Sequence, residues 1–110
     1  MAGTLALSAA DQTDQADPYG LDYVTALDDY NLAWVSEMHG DLDQALAHVR
    51  TALAARDRAI AGYRDRASDP VIGERLRRLQ TLDRPCCKQE SLSQRITRKI
   101  SQRDETAAKP

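Results

Sequence analysis

The sequence predicts an all-α protein: an antiparallel helical hairpin with a third packing helix and flexible termini. Apolar residues recur at three- and four-residue steps, and the pairs Ala45-Leu46 and Ala52-Leu53 lie seven residues apart in "EMHGDLDQALAHVRTALAARD". The chain has no Phe, 4 Tyr and 1 Trp, and no run alternates apolar and polar residues for long. Its core must therefore be Leu, Ile, Val and Ala, which favours helices over strands. Start and stop signals fall between the periodic runs: Asp17-Pro18, Gly40-Asp41 and Asp69-Pro70.

Residues 1–17 are polar and acidic with little periodicity, and a disordered tail is expected there. Asp17 before Pro18 reads as a helix start, since proline suits the first helical turn. From about 19 to 39, Tyr23, Leu27, Tyr30, Trp34 and Met38 fall on one stripe, and Val24, Leu32 and Val35 on another part of the surface. A helix apolar on two sides is sandwiched between neighbours or offers one side to a partner.

Gly40 should stop this helix, because glycine accepts the left-handed conformation at a helix end. Asp41 stands at cap position with Gln44 at capping-box spacing. So short a connection turns the second helix back against the first. The second helix should run to about Arg66, with Leu42, Leu46, Val49, Leu53, Arg56, Ile60 and Tyr63 in heptad spacing. Leu42, Leu46, Val49, Leu53 and Ile60 make a candidate dimer face. Ala45, Ala52 and Ala59 flank this stripe and let another helix approach closely.

Ser68-Asp69-Pro70 should start a third helix with the narrow face Ile72, Leu76 and Leu79, and Asp83-Arg84-Pro85 should end it. The hairpin and third helix thus occupy residues 18–83. Residues 84–110 form a basic segment, weakly helical or disordered: Leu92, Ile96 and Ile100 recur every four residues, but Ser and Thr interrupt them. From Asp104 a polar tail is expected.

A chain of 110 residues suggests one domain at most. No stretch approaches the roughly 20 apolar residues of a membrane span, so no membrane partner is expected. The opening "MAGTLALSAADQ" has neither basic residues nor an apolar core of signal-peptide type, so a cytoplasmic location is expected. Cys86 and Cys87 are adjacent, which suits two free thiols near a loop in a reducing compartment better than a disulfide framework. They and the distant His39 and His48 do not make a metal-ligand set. Charge is lopsided: residues 1–49 hold nine acids and no Lys or Arg, while residues 50–110 hold fifteen bases and eight acids, a balance of +7. Either a charged partner or neutralisation of one half by the other follows.

Residues 29–57 resemble a single degenerate tetratricopeptide repeat. Leu32 and Ala33, Gly40-Asp41 at the turn, Ala45-Leu46 and Ala52-Leu53 carry the likeness. Asp29 stands where the family often has Trp, and Asp57 where a closing Pro is usual. The resemblance implies a peptide- or helix-binding groove lined by Leu27, Tyr30, Trp34, Glu37 and Met38. One such hairpin cannot bury its own apolar surface, so the third helix, a second copy or another protein must supply the rest.

No phosphate loop, metal cluster, cofactor motif or nucleophile motif is present, so an enzyme is not expected. The reading is a small interaction module, an adaptor or regulatory subunit, whose partner is a peptide or helix, basic in character, or a second copy of the chain. The alternative is a nucleic-acid-binding regulator using the basic C-terminal segment, with Arg95, Arg98 and Lys99 on phosphates. No aromatic residue interleaves with those cations to stack on bases.

Overall fold

In the computed structural model of the protein, residues 17–108 are described. They form four α-helices: α1 (Gly20–Met38), α2 (Leu42–Tyr63), α3 (Pro70–Thr81) and α4 (Leu92–Ala108), with one 3-10 turn, Arg64–Arg66, after α2. Among the described residues there is no strand, and no helix is long and apolar enough to cross a membrane. The expected tail over residues 1–16 lies outside the described residues.

The hairpin of α1 and α2 is sealed by small side chains. Ala26 and Ala33 of α1 and Ala45, Ala52, Ala55 and Ala59 of α2 are all fully buried. Methyl side chains at the contact let two helix backbones approach closely. The turn follows from Gly40, whose φ is +78°. Its N–H donates to Glu37 O (3.0 Å) and that of Asp41 to Ser36 O (2.9 Å), the paired bonds that close a helix C-terminus. Asp41 does not cap α2 with its side chain, although its spacing to Gln44 suggests it. The glycine closure positions the chain without it.

Two further helices cover the hairpin, one at each end. α3 joins the start of α1 to the end of α2: Ile72, Leu76 and Leu79 pack with Ala26, Ala55, Ala59 and Tyr63. Asp69 caps it, accepting from the N–H groups of Val71 (2.9 Å) and Ile72 (3.2 Å) ahead of Pro70. α4 covers the other end, where Leu92 and Ile96 pack with Ala33, Ala45 and Val49, and Tyr30, Leu46, Leu53 and Ile100 close around them. The heptad stripe of α2 is thus divided. Leu46, Val49 and Leu53 meet α4, and Ile60 and Tyr63 meet α3. Arg56 stands between the two clusters and donates through Nη1 to the carbonyl of Leu82 at the end of α3 (3.1 Å). A cation in an apolar stripe is explained by that orphan carbonyl.

α4 is longer and better tied than the sequence suggests, reaching Ala108 through the stretch read as a polar tail. Its N-terminus holds the capping box absent from α2. Ser91 Oγ accepts from Gln94 N (3.3 Å), and Gln94 Oε1 accepts from Ser91 N (2.9 Å). Leu92 and Ile96 are buried, and their burial outweighs the low helix propensity of the neighbouring Ser and Thr.

Gly62 has a different use. A Cβ there would lie 2.2 Å from the ring of Tyr19, so only glycine lets that ring rest on α2. The ring then meets Tyr63 edge-on, centroids 6.0 Å apart.

The closeness of the seam sets a testable cost. Ala52→Leu should overpack it and lower the free energy of unfolding by about 1–3 kcal/mol in urea titration. A variant as stable as the parent would mean that Ala52 does not face α1.

Candidate functional site

Three carboxylates, each in a separate place, hold the helices together. Asp17, just before α1, is 9 % exposed. Its Oδ2 accepts from the Tyr63 hydroxyl (2.8 Å) and from Arg75 of α3, and its Oδ1 accepts from Tyr19 N (3.1 Å). It therefore does not belong to the expected tail. Burial, with Asp17 as acceptor, pushes the Tyr63 hydroxyl up to about 12. The Arg75 guanidinium also lies 5.1 Å from the ring centre of Tyr23.

Asp83, in the connection from α3 to α4, has a φ of +62°. Its Oδ1 accepts from the Tyr30 hydroxyl of α1 (3.0 Å) and from Ser93 N (3.0 Å), and its Oδ2 from the Ser93 hydroxyl. The carboxylate lies at the N-terminal end of α4, where backbone N–H groups are orphaned and the helix dipole favours negative charge. Burial first, then the charge of Asp83, raises the Tyr30 hydroxyl well above its ordinary range.

Glu37, the penultimate residue of α1, is 6 % exposed. Both its oxygens receive Arg95 of α4, from Nε (2.7 Å) and Nη2 (3.2 Å), and Oε1 also receives Lys99 Nζ (2.6 Å). The bidentate guanidinium is the stronger partner. The hydrogen bond from Arg95, then that from Lys99, holds the Glu37 carboxyl below its ordinary value although burial opposes them.

These contacts relocate the residues named from sequence. Of the groove set, Tyr30 and Glu37 are drawn inward, Leu27 is half-buried, and Trp34 and Met38 stay at the surface. Arg95 stacks over Trp34, its guanidinium carbon 4.9 Å from the ring centre. In the candidate dimer face, Val49 is buried, Leu46, Leu53 and Ile60 pack against the two clusters, and Leu42 is half-buried near Lys99 and Arg103. A dimer through that face would require α3 and α4 to lift off. Of the candidate phosphate contacts, Arg95 and Lys99 hold Glu37, and Arg98 pairs with Glu90 (2.7 Å).

What remains outside is the far face of α1. The exposed large hydrophobic residues are Leu21, Val24, Leu32, Trp34, Val35, Met38 and Val71, and all but Val71 lie on α1. Leu21, Val24, Leu32, Val35 and Met38 share one side of the helix with the exposed Asp28 and Asn31. Sequence spacing sets Trp34 and Met38 in a stripe with Tyr23, Leu27 and Tyr30, and Val24, Leu32 and Val35 in another; the structure turns Tyr23, Leu27 and Tyr30 partly inward and leaves Trp34 and Met38 outside. The capping box Ser91–Gln94 was readable from its spacing; Asp83 was not, since its partners are distant in sequence.

Among the described residues no group of three or more His, Cys, Asp and Glu is placed to hold a metal ion. His48 Nδ1 pairs with Asp29 Oδ1 across the hairpin (3.2 Å). Cys86 and Cys87, expected as two free thiols near a loop, lie in the turn between α3 and α4 with their sulfurs against each other. No protein-family model, curated protein or solved structure matches the chain. The fold and site define a class on their own terms: an all-α hairpin locked by carboxylates under two covering helices, with one apolar helix face left open.

Glu37 makes stability depend on pH with a definite sign. Its folded pKa lies below the ordinary 4.5, so its contribution is present above 4.5 and lost as pH falls through the folded value. Glu37→Gln should cost about 1–3 kcal/mol at neutral pH and flatten the acid limb of stability against pH. Urea titrations across the acid range check this. An unchanged acid limb would show that the clamp does not hold α4.

Proposed function

We propose that the protein is a small non-enzymatic interaction module that binds an amphipathic helix of another protein along the outward face of α1. One observation supports this most: exposed large apolar residues concentrate on a single helix although two helices were available to cover it. The face runs along a helix about 28 Å long, enough for several turns of a docked helix. Trp34 and Met38 at one end are suited to anchor it, one rigid and one adaptable. Asp28 lies within the face, and α1 carries no Lys or Arg, so a partner with cations beside its apolar stripe fits best.

The likeness of residues 29–57 to a tetratricopeptide repeat supports a helix-binding role without assigning this face. In this reading the partner avoids the stripe of Tyr30 and Glu37, which α4 covers. The nucleic-acid alternative is less well supported, because Arg95, Arg98 and Lys99 already serve carboxylates of the same chain.

Affinity capture from native extract treated with nuclease tests the reading, comparing the parent with Val35→Asp and Arg98→Gln. Val35→Asp should lose the partner and keep the parent's unfolding midpoint, while Arg98→Gln should keep both. With the partner in hand, Trp34→Ala should weaken binding by about 2 kcal/mol in calorimetric titration. A partner that survives Val35→Asp but is lost on nuclease treatment would overturn the proposal in favour of nucleic acid.

A further inference from the structure

A recess lies away from the interaction face, between the end of α2 and the end of α3. Its volume is about 440 Å³. Three guanidiniums, those of Arg56, Arg64 and Arg84, line it beside a single carboxylate, Asp57, which leaves a balance of +2. Gln80 adds an amide, and Ile60 with the fully buried Leu79 forms the apolar part. Arg56 is committed: its Nη1 donates to Leu82 O (3.1 Å) and its Nε to Asp57 Oδ1 (3.0 Å). Arg64 and Arg84 are exposed and, among the described residues, hold no carboxylate.

Two features keep those arginines available. Asp83, next to Arg84, is turned to Tyr30 and Ser93. The carbonyls that end α3 would otherwise draw a cation, but they already have donors. Arg78 O accepts from Thr81 Oγ1 (2.9 Å), Leu79 O from Leu82 N (3.2 Å), Thr81 O from Arg84 N (3.3 Å) and Leu82 O from Arg56. Elsewhere Arg58, Arg75, Arg95 and Arg103 each sit on a carboxylate from residues 17–43. Among the described residues no carboxylate of that acidic stretch lines this recess.

We propose that the recess binds a small organic phosphomonoester, its phosphate held by Arg64 and Arg84 and its carbon skeleton laid on Ile60. Such a phosphate carries about two negative charges at neutral pH and offers three acceptor oxygens. It matches the +2 balance, whereas a carboxylate, a sulfate ester or a phosphodiester carries a single charge. Guanidinium forks take phosphate oxygens in pairs. Arg56 contributes charge, and its bond to Asp57 occupies the one carboxylate present. Ile60 is half-buried and offers apolar cover that inorganic phosphate cannot use. The volume falls within the range of small-molecule sites, about 300–1,000 Å³.

NMR titration of the full chain at neutral pH with phenyl phosphate tests this, following the arginine Nε–H signals. Phenyl phosphate should shift those of Arg64 and Arg84 saturably, and bind severalfold more tightly than phenyl sulfate or inorganic phosphate. Its affinity should fall as pH drops below about 6, where the phosphate takes up its second proton. The double variant Arg64→Gln with Arg84→Gln should bind about tenfold more weakly while keeping the parent's thermal midpoint. Arg50→Gln, at an exposed arginine outside the recess, should bind like the parent. Equal affinity for phenyl sulfate, or binding untouched by the double variant, would overturn the proposal. So would a single-stranded oligonucleotide without terminal phosphates that binds through the same arginines more tightly than phenyl phosphate, a result favouring nucleic acid.

Discussion

The close approach of α1 and α2 is the constraint from which the rest follows. Six buried alanines line their seam, and each removes little surface from water compared with a leucine. A hairpin built this way has a well-defined spacing but a thin core. Its larger residues, Val49, Leu53, Ile60 and Tyr63, therefore need other helices to complete their cover. α3 and α4 do so at opposite ends, and the two apolar clusters are the result.

Covering helices also need orientation, which apolar contact alone does not give. Three buried or half-buried carboxylates supply it. Asp17 ties α3, Glu37 ties α4 by its flank, and Asp83 ties the start of α4 to Tyr30 of α1. Each is satisfied by charge-assisted hydrogen bonds, as a buried charge must be. Pairing also resolves the charge asymmetry. Asp17 with Arg75, Asp22 with Arg58, Glu37 with Arg95 and Lys99, and Asp43 with Arg103 all join the acidic half to the basic half. The exposed pairs among these contribute little to stability. The pair built on Glu37 is different, because its carboxylate is withdrawn from water.

With the inner side of α1 taken by α2 and one flank by α4, its outward apolar residues have no cover within the described chain. That residue of the packing supports the interaction role proposed above.

The sequence by itself determined the first three helices and the breaks between them. Seven-residue spacing, Gly40 and the Asp69-Pro70 start are local signals, and local hydrogen bonding and periodicity are enough to read them. It also marked Ala45, Ala52 and Ala59 as contact positions, because a small residue at helical spacing has few other uses. It left open which apolar stripe of α1 would be covered, whether the basic segment would be ordered, and whether unlike charges would meet inside or outside the chain. Tyr30 is 53 positions from Asp83, and Glu37 is 58 from Arg95 and 62 from Lys99. No periodicity spans such separations. Those outcomes were decided by tertiary packing, since α4 is held in place only where two apolar clusters and three carboxylates can be satisfied at once.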